Sequence, residues 1–228
     1  MIGRYFYLFV VLFLLNACTY HGQLRRGVYQ APIQPNRIFA TVLVVADQSI
    51  PEKILFTEPE SSSLKAYMVK TADAVAVAAT DALATRFERV DAGVHTLAPQ
   101  YDYVAEVTYQ AGLTRTNCEE DSSSLSVRVN GLCTKMKLVL HTPQDKTPLF
   151  TASARQWDEF LLPGFPAGVK WLNQHTFSIL FPILDPLYVQ TQGMHVRRTL
   201  EKQLKEILQE MISKLDEKRE LFSSAGRE

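Results

Sequence analysis

The chain has few of the marks that catalytic or metal-binding proteins display. Its 228 residues include three cysteines and five histidines. His21, His95, His141, His175 and His195 form no H-x-H, H-E-x-x-H or i,i+4 pair, so no metal site is expected. No G-x-S-x-G, P-loop or G-x-G-x-x-G is present, which removes the sequence signatures of three large enzyme classes. Basic and acidic residues balance at 24 each. Without a basic excess, nothing in the composition draws nucleic acid. No run of about 18 apolar residues appears, so no transmembrane helix is expected. The sequence therefore predicts no catalytic residue, no bound cofactor and no small-molecule substrate, and a non-enzymatic role.

What the sequence does have is an organised beginning. Arg4 and the amino terminus precede an apolar run from Phe6 to Leu15, followed by the small-residue end Asn16-Ala17. These are the three parts of a signal peptide, and the run is too short to span a bilayer. Leu15-Asn16-Ala17-Cys18 resembles the lipobox of bacterial lipoproteins. The resemblance implies cleavage before Cys18, a diacylglycerol thioether on its sulfur and an N-acyl chain such as palmitate. Two or more acyl chains hold a protein stably on a membrane. Thr19 follows the cysteine; in the family an Asp there favours retention in the inner membrane. Its absence implies the outer membrane of a Gram-negative cell, facing the periplasm, or otherwise the outer side of the cell membrane.

With Cys18 assigned to lipid, Cys118 and Cys133 remain. In an oxidising compartment the pair is expected to form a disulfide, with two free thiols as the alternative. The loop it closes would contribute roughly 3 kcal/mol in the chain-entropy account.

The expected organisation is a signal peptide at 1–17, a lipidated terminus and flexible tether at 18–37, one domain at 38–222 and a disordered tail at 223–228. Gly22, Gly27, Pro32 and Pro35 mark the tether. Ile38 to Val45 is a β-branched, nearly continuous apolar strand. Ile54 to Phe56 suggests a short second one. Leu64, Met68, Ala72, Val75, Ala79, Leu83, Phe87 and Val90 recur in steps of three and four, which predicts one helix from about Ser63 to Val90. Tyr101 to Tyr109 alternates as a strand. Strands at Leu125 to Val129, Thr134 to His141 and Leu149 to Trp157 complete an antiparallel meander. Met194 to Phe222 reads as a second helix on the stripe Leu200, Leu204, Ile207, Leu208, Met211, Ile212 and Leu215. The fold class is α+β: a mostly antiparallel sheet, in the order strand, helix, meander, helix, with both helices on one face. In element order this is similar to periplasmic domains of bacterial lipoproteins such as the amino-terminal-like domain of TolB and the LptE type. No functional residue carries over.

Four features invite a functional reading. Asp102 and Glu106 share a strand face, but strand rise separates them by roughly 13 Å, beyond a glycosidase pair. Glu119-Glu120-Asp121 lacks the alternating oxygens of a calcium loop. The face of Tyr101, Tyr103 and Tyr109 suits packing under helices better than ligand stacking. The fourth feature is the apolar stretch 160–188, broken by prolines. Phe165, Trp171, Phe177, Leu180, Phe181, Leu184 and Tyr188 either cover the core or contact a partner or lipid. The expected function is an accessory or assembly component of a cell-envelope complex, working through an envelope protein partner. The alternative is a carrier for lipid or another hydrophobic ligand.

Overall fold

The structure, a computed structural model, describes residues 19–57, 66–112, 131–159 and 181–222. The fold is α+β with two mixed sheets. Strands β1 (Thr19–Gln23), β2 (Ile38–Ala46), β3 (Lys53–Thr57) and β4 (Ala66–Lys70) precede helix α1 (Ala72–Ala84). Strand β5 (Phe87–Ala92), a 3-10 turn (His95–Gln100), β6 (Tyr103–Gly112), β7 (Gly131–His141) and β8 (Phe150–Glu159) follow. Helix α2 (Phe181–Glu217) and a short 3-10 turn (Arg219–Phe222) close the described chain.

The larger sheet has the order β5-β2-β6-β7-β8 and the smaller one β1-β4-β3. The expected meander is present: β6, β7 and β8 pair antiparallel, with Val107 opposite Leu138 and Met136 opposite Ala154. The expectation of a mostly antiparallel sheet needs correction. β2 is parallel to both β5 and β6, and β1 is parallel to β4. Parallel partners need crossovers, and α1 lies on the crossover from β2 to β5.

Both helices pack on one face of the large sheet. Alternation along β7 sends Met136, Leu138 and Leu140 into that interface, where they meet Leu200, Leu204, Ile207 and Leu208 in one cluster. The buried side of α1 is Ala74, Val75, Ala78, Ala79, Ala82 and Leu83. Small side chains let the helix approach the sheet closely. At the end of the chain Phe222 sits edge-on to Tyr103 and Phe87, with ring centroids at 5.4 and 5.7 Å. The opposite sheet face carries a smaller cluster, Leu43, Val45, Ala98 and Val104, beside the first 3-10 turn.

Three sequence expectations are overturned. Residues 19–37 are not a free tether: β1 forms five rungs with β4, and Tyr20, Leu24 and Tyr29 are buried. The expected helix to Val90 is three elements. Its first part is β4, whose Tyr67 and Val69 are buried between two neighbouring strands. Thr71 ends that strand, its hydroxyl donating to the Pro51 carbonyl at 2.8 Å, and its own carbonyl accepts from Val75 N–H to start α1. The helix then stops at Thr85, and Phe87 begins β5. Finally, α2 starts at Phe181, not near Met194. Pro182 falls in its first turn, where the missing N–H has no helical partner to lose. Gly193 lies inside the helix because the ring of Tyr20 packs there: a Cβ would fall 1.9 Å from Tyr20 Cγ.

Candidate functional site

Most of the residues singled out from the sequence lie outside the described residues: Cys18, Cys118, Glu119 to Asp121, Phe165, Trp171, Phe177 and Leu180. So does the strand expected at Leu125 to Val129. Phe181, Leu184 and Tyr188 fall in the first turns of α2, so the apolar stretch is not irregular there. Cys133 is buried on β7 and is disulfide-bonded.

The tyrosine face divides. Tyr103 and Tyr109 lie under the helices. Tyr101 sits before β6, against the smaller cluster on the other face. Its hydroxyl donates to Asp91 Oδ2 at 3.0 Å, and the Arg89 guanidinium lies 5.8 Å from its ring centroid. Burial, then the Asp91 contact, pushes the Tyr101 phenol up. Asp102 is a structural clamp: its Oδ2 accepts from the Thr41 backbone N–H at 2.7 Å and from the Thr41 hydroxyl at 2.8 Å. These bonds hold the entry of β6 against β2.

Glu106 belongs to a grouping that sequence reasoning missed. Its Oε1 lies 3.3 Å from His141 Nε2 and 3.6 Å from His95 Nε2. His141 Nδ1 lies 2.7 Å from the Thr142 carbonyl, and the imidazole is buried, with 5% of its side chain exposed. Both ring nitrogens of His141 thus face oxygen atoms, which fixes the ring between β6 and the end of β7. Two further carboxylates lie near. Asp47 is held below its ordinary pKa chiefly by the Ser49 hydroxyl and amide, with a smaller contribution from His95. Asp145 is lowered in the same way by Thr147, and slightly by His141.

Strand register assembles this grouping. Glu106 pairs with Val139, which puts it diagonal to His141 on the face away from the helices. The only signal in the sequence was parity, and parity does not reveal register. Among the described residues no three His, Cys, Asp or Glu side chains are placed to hold a metal ion. No serine, threonine or cysteine among the described contacts of this grouping offers a nucleophile to either imidazole.

A second set of polar atoms lies on the inner face. Tyr109 Oη, Thr134 Oγ1, both amide atoms of Gln192 and Gln203 Oε1 are buried without hydrogen-bond partners among the described residues. Gln203 Nε2 donates to the Leu132 carbonyl at 2.9 Å, so that amide ties α2 to β7. Burial pushes the Tyr109 phenol far up, which keeps it neutral.

No family model matches the chain, and no curated relative matches it. Among solved structures, a Xanthomonas campestris protein assigned to the family model DUF330 aligns over 88% of this chain and 98% of its own. It shares 14% sequence identity, with a TM-score of 0.37. That likeness is too loose to carry function across.

Proposed function

We propose that the chain is a membrane-anchored lipoprotein, lipidated on Cys18 and facing the periplasm, that serves as a non-enzymatic accessory or assembly component of a cell-envelope complex. One observation carries the reading. The apolar run from Phe6 to Leu15 ends in the lipobox-like Leu15-Asn16-Ala17-Cys18, which places a cysteine at the expected cleavage point of a signal peptide. Pairing of Cys133 with Cys118 belongs to the same reading, because it requires an oxidising compartment.

The test is expression of the wild-type chain and of Cys18→Ser in a bacterium, with fractionation and intact mass. The wild type should sit in the membrane fraction with its leader removed and acyl mass added. An unchanged mass, or equal membrane partition of the serine variant, would refute the anchor. Crosslinking in intact envelopes then separates the roles. Recovery of one discrete heteromeric product supports an assembly component; recovery of monomer with co-purifying lipid supports the hydrophobic-ligand carrier instead.

A further inference from the structure

The small sheet places two features at its opposite ends. At one end is Thr19, the first residue of β1. At the other is a row in which Gln23 pairs with Lys70 and Lys70 pairs with Lys53. The Leu24 amide donates to the Lys70 carbonyl, so Arg25 and Arg26 follow directly on that row. Lys53, Lys70, Arg25 and Arg26 are all exposed. None of the four side chains takes an ion pair among the described residues; Arg25 uses only its backbone amide, on Glu201. Glu201 is itself engaged by Arg197 at 3.7 Å. Two exposed carboxylates, Glu52 and Asp73, flank the row and pair with none of these cations.

Lys53 and Lys70 are direct cross-strand partners. Like charges in that position destabilise a sheet in water. The arrangement becomes favourable only beside negative charge. The covalent geometry supplies a candidate, because residues 19–24 are locked into the fold and leave an anchor on Cys18 no stand-off. By strand rise the cationic row lies only about 13 Å from Thr19. Rotation about Thr19 brings it onto the surface.

We propose that the β1-β4-β3 sheet is a membrane-apposed face, pivoting at Thr19 and held down by Lys53, Lys70, Arg25 and Arg26 on anionic phospholipid headgroups. The proposal rests on the lipoprotein reading above for the pivot. The cations act over roughly a Debye length, about 8 Å at physiological salt, so the row must lie close to the headgroups. Each basic side chain near an anionic leaflet adds to the attraction.

Trypsin reads both parts of the proposal at once, because it cuts after Arg25 and Arg26. The mature protein extracted from membranes is reconstituted in phosphatidylethanolamine vesicles with or without phosphatidylglycerol. Cleavage at Arg25 and Arg26 should be about tenfold slower on the anionic vesicles. High salt and Lys53→Gln/Lys70→Gln should both abolish the protection, while Lys53→Arg/Lys70→Arg should keep it. Equal rates on the two vesicle types would overturn the proposal. So would equal protection by inorganic phosphate on neutral vesicles, which would indicate a small-anion site. The released amino-terminal fragment contains Cys18, and its mass reports lipidation separately. A fragment without acyl mass sinks the anchor, whereas a lipidated fragment cut at equal rates sinks only the orientation.

Discussion

The ring of Tyr20 occupies the space that a side chain at Gly193 would need. A Cβ on Gly193 would lie 1.9 Å from Tyr20 Cγ, an atom close to the backbone that cannot swing aside. Gly193→Ala gains about 1 kcal/mol in helix propensity. The steric conflict should outweigh it, giving a net loss of roughly 1–3 kcal/mol. In a Tyr20→Ala background the same change should be neutral or stabilising. Urea melts of the four proteins measure this; additive effects would show that strand and helix do not meet there.

Arg86 and Asp216 tie the C-terminal ends of the two helices. Nε and Nη2 of the guanidinium donate to the two carboxylate oxygens at 2.6 and 2.8 Å. The bonds to Asp216 raise the Arg86 pKa further. The Asp216 side chain is 35% exposed, so solvent screening limits the gain. A double-mutant cycle with Arg86→Met and Asp216→Asn should give a coupling of about 1 kcal/mol that shrinks at high salt. Zero coupling at low salt would contradict the bidentate pair.

Tyr109 is 1% exposed and its hydroxyl has no partner among the described residues. Tyr109→Phe removes that oxygen and keeps the ring. The variant should match the wild type or exceed it by about 1 kcal/mol. A clear loss of stability in thermal or urea unfolding would show that the hydroxyl is hydrogen-bonded in solution.

Asp81 on α1 should make stability fall as pH rises. Burial raises its pKa above the ordinary value of 3.8. Between that value and the raised one, the folded state binds more protons than the unfolded state. Stability therefore declines across this window, and the deficit persists at higher pH. Asp81→Asn should lose this component and be slightly more stable at neutral pH. Unfolding curves from pH 3 to 7 compare the two; parallel profiles would refute the assignment.

The strands with clear alternation were legible from the sequence. Tyr103, Val107 and Tyr109 point inward with Met136, Leu138 and Leu140, as their parity required. The β4 segment was not, because Met68, Ala72 and Val75 also satisfy a helical step. What decides it is pairing with β1 and β3, one of them 47 residues earlier in register (Thr19 with Ala66 at the near end). The contact between Gly193 and Tyr20 was not legible, because nothing near either residue in sequence announces the other. The grouping of His95, Glu106 and His141 needed the β6–β7 register, which alternation alone does not set.

Tyr20 and Gly193 touch with most of the chain between them, and β1 pairs with β4 in parallel, which no local hairpin can achieve. Contacts of such sequence separation carry a large loop-closure cost before they reward the chain. The first strand cannot reach its final packing until α2 exists. If Cys18 carries the anchor, the protein is fastened to its membrane beside the strand whose final packing waits on the last helix. An incomplete chain would then sit on the bilayer with the edge of β4 uncovered, so folding quality and surface attachment would be judged at the same place.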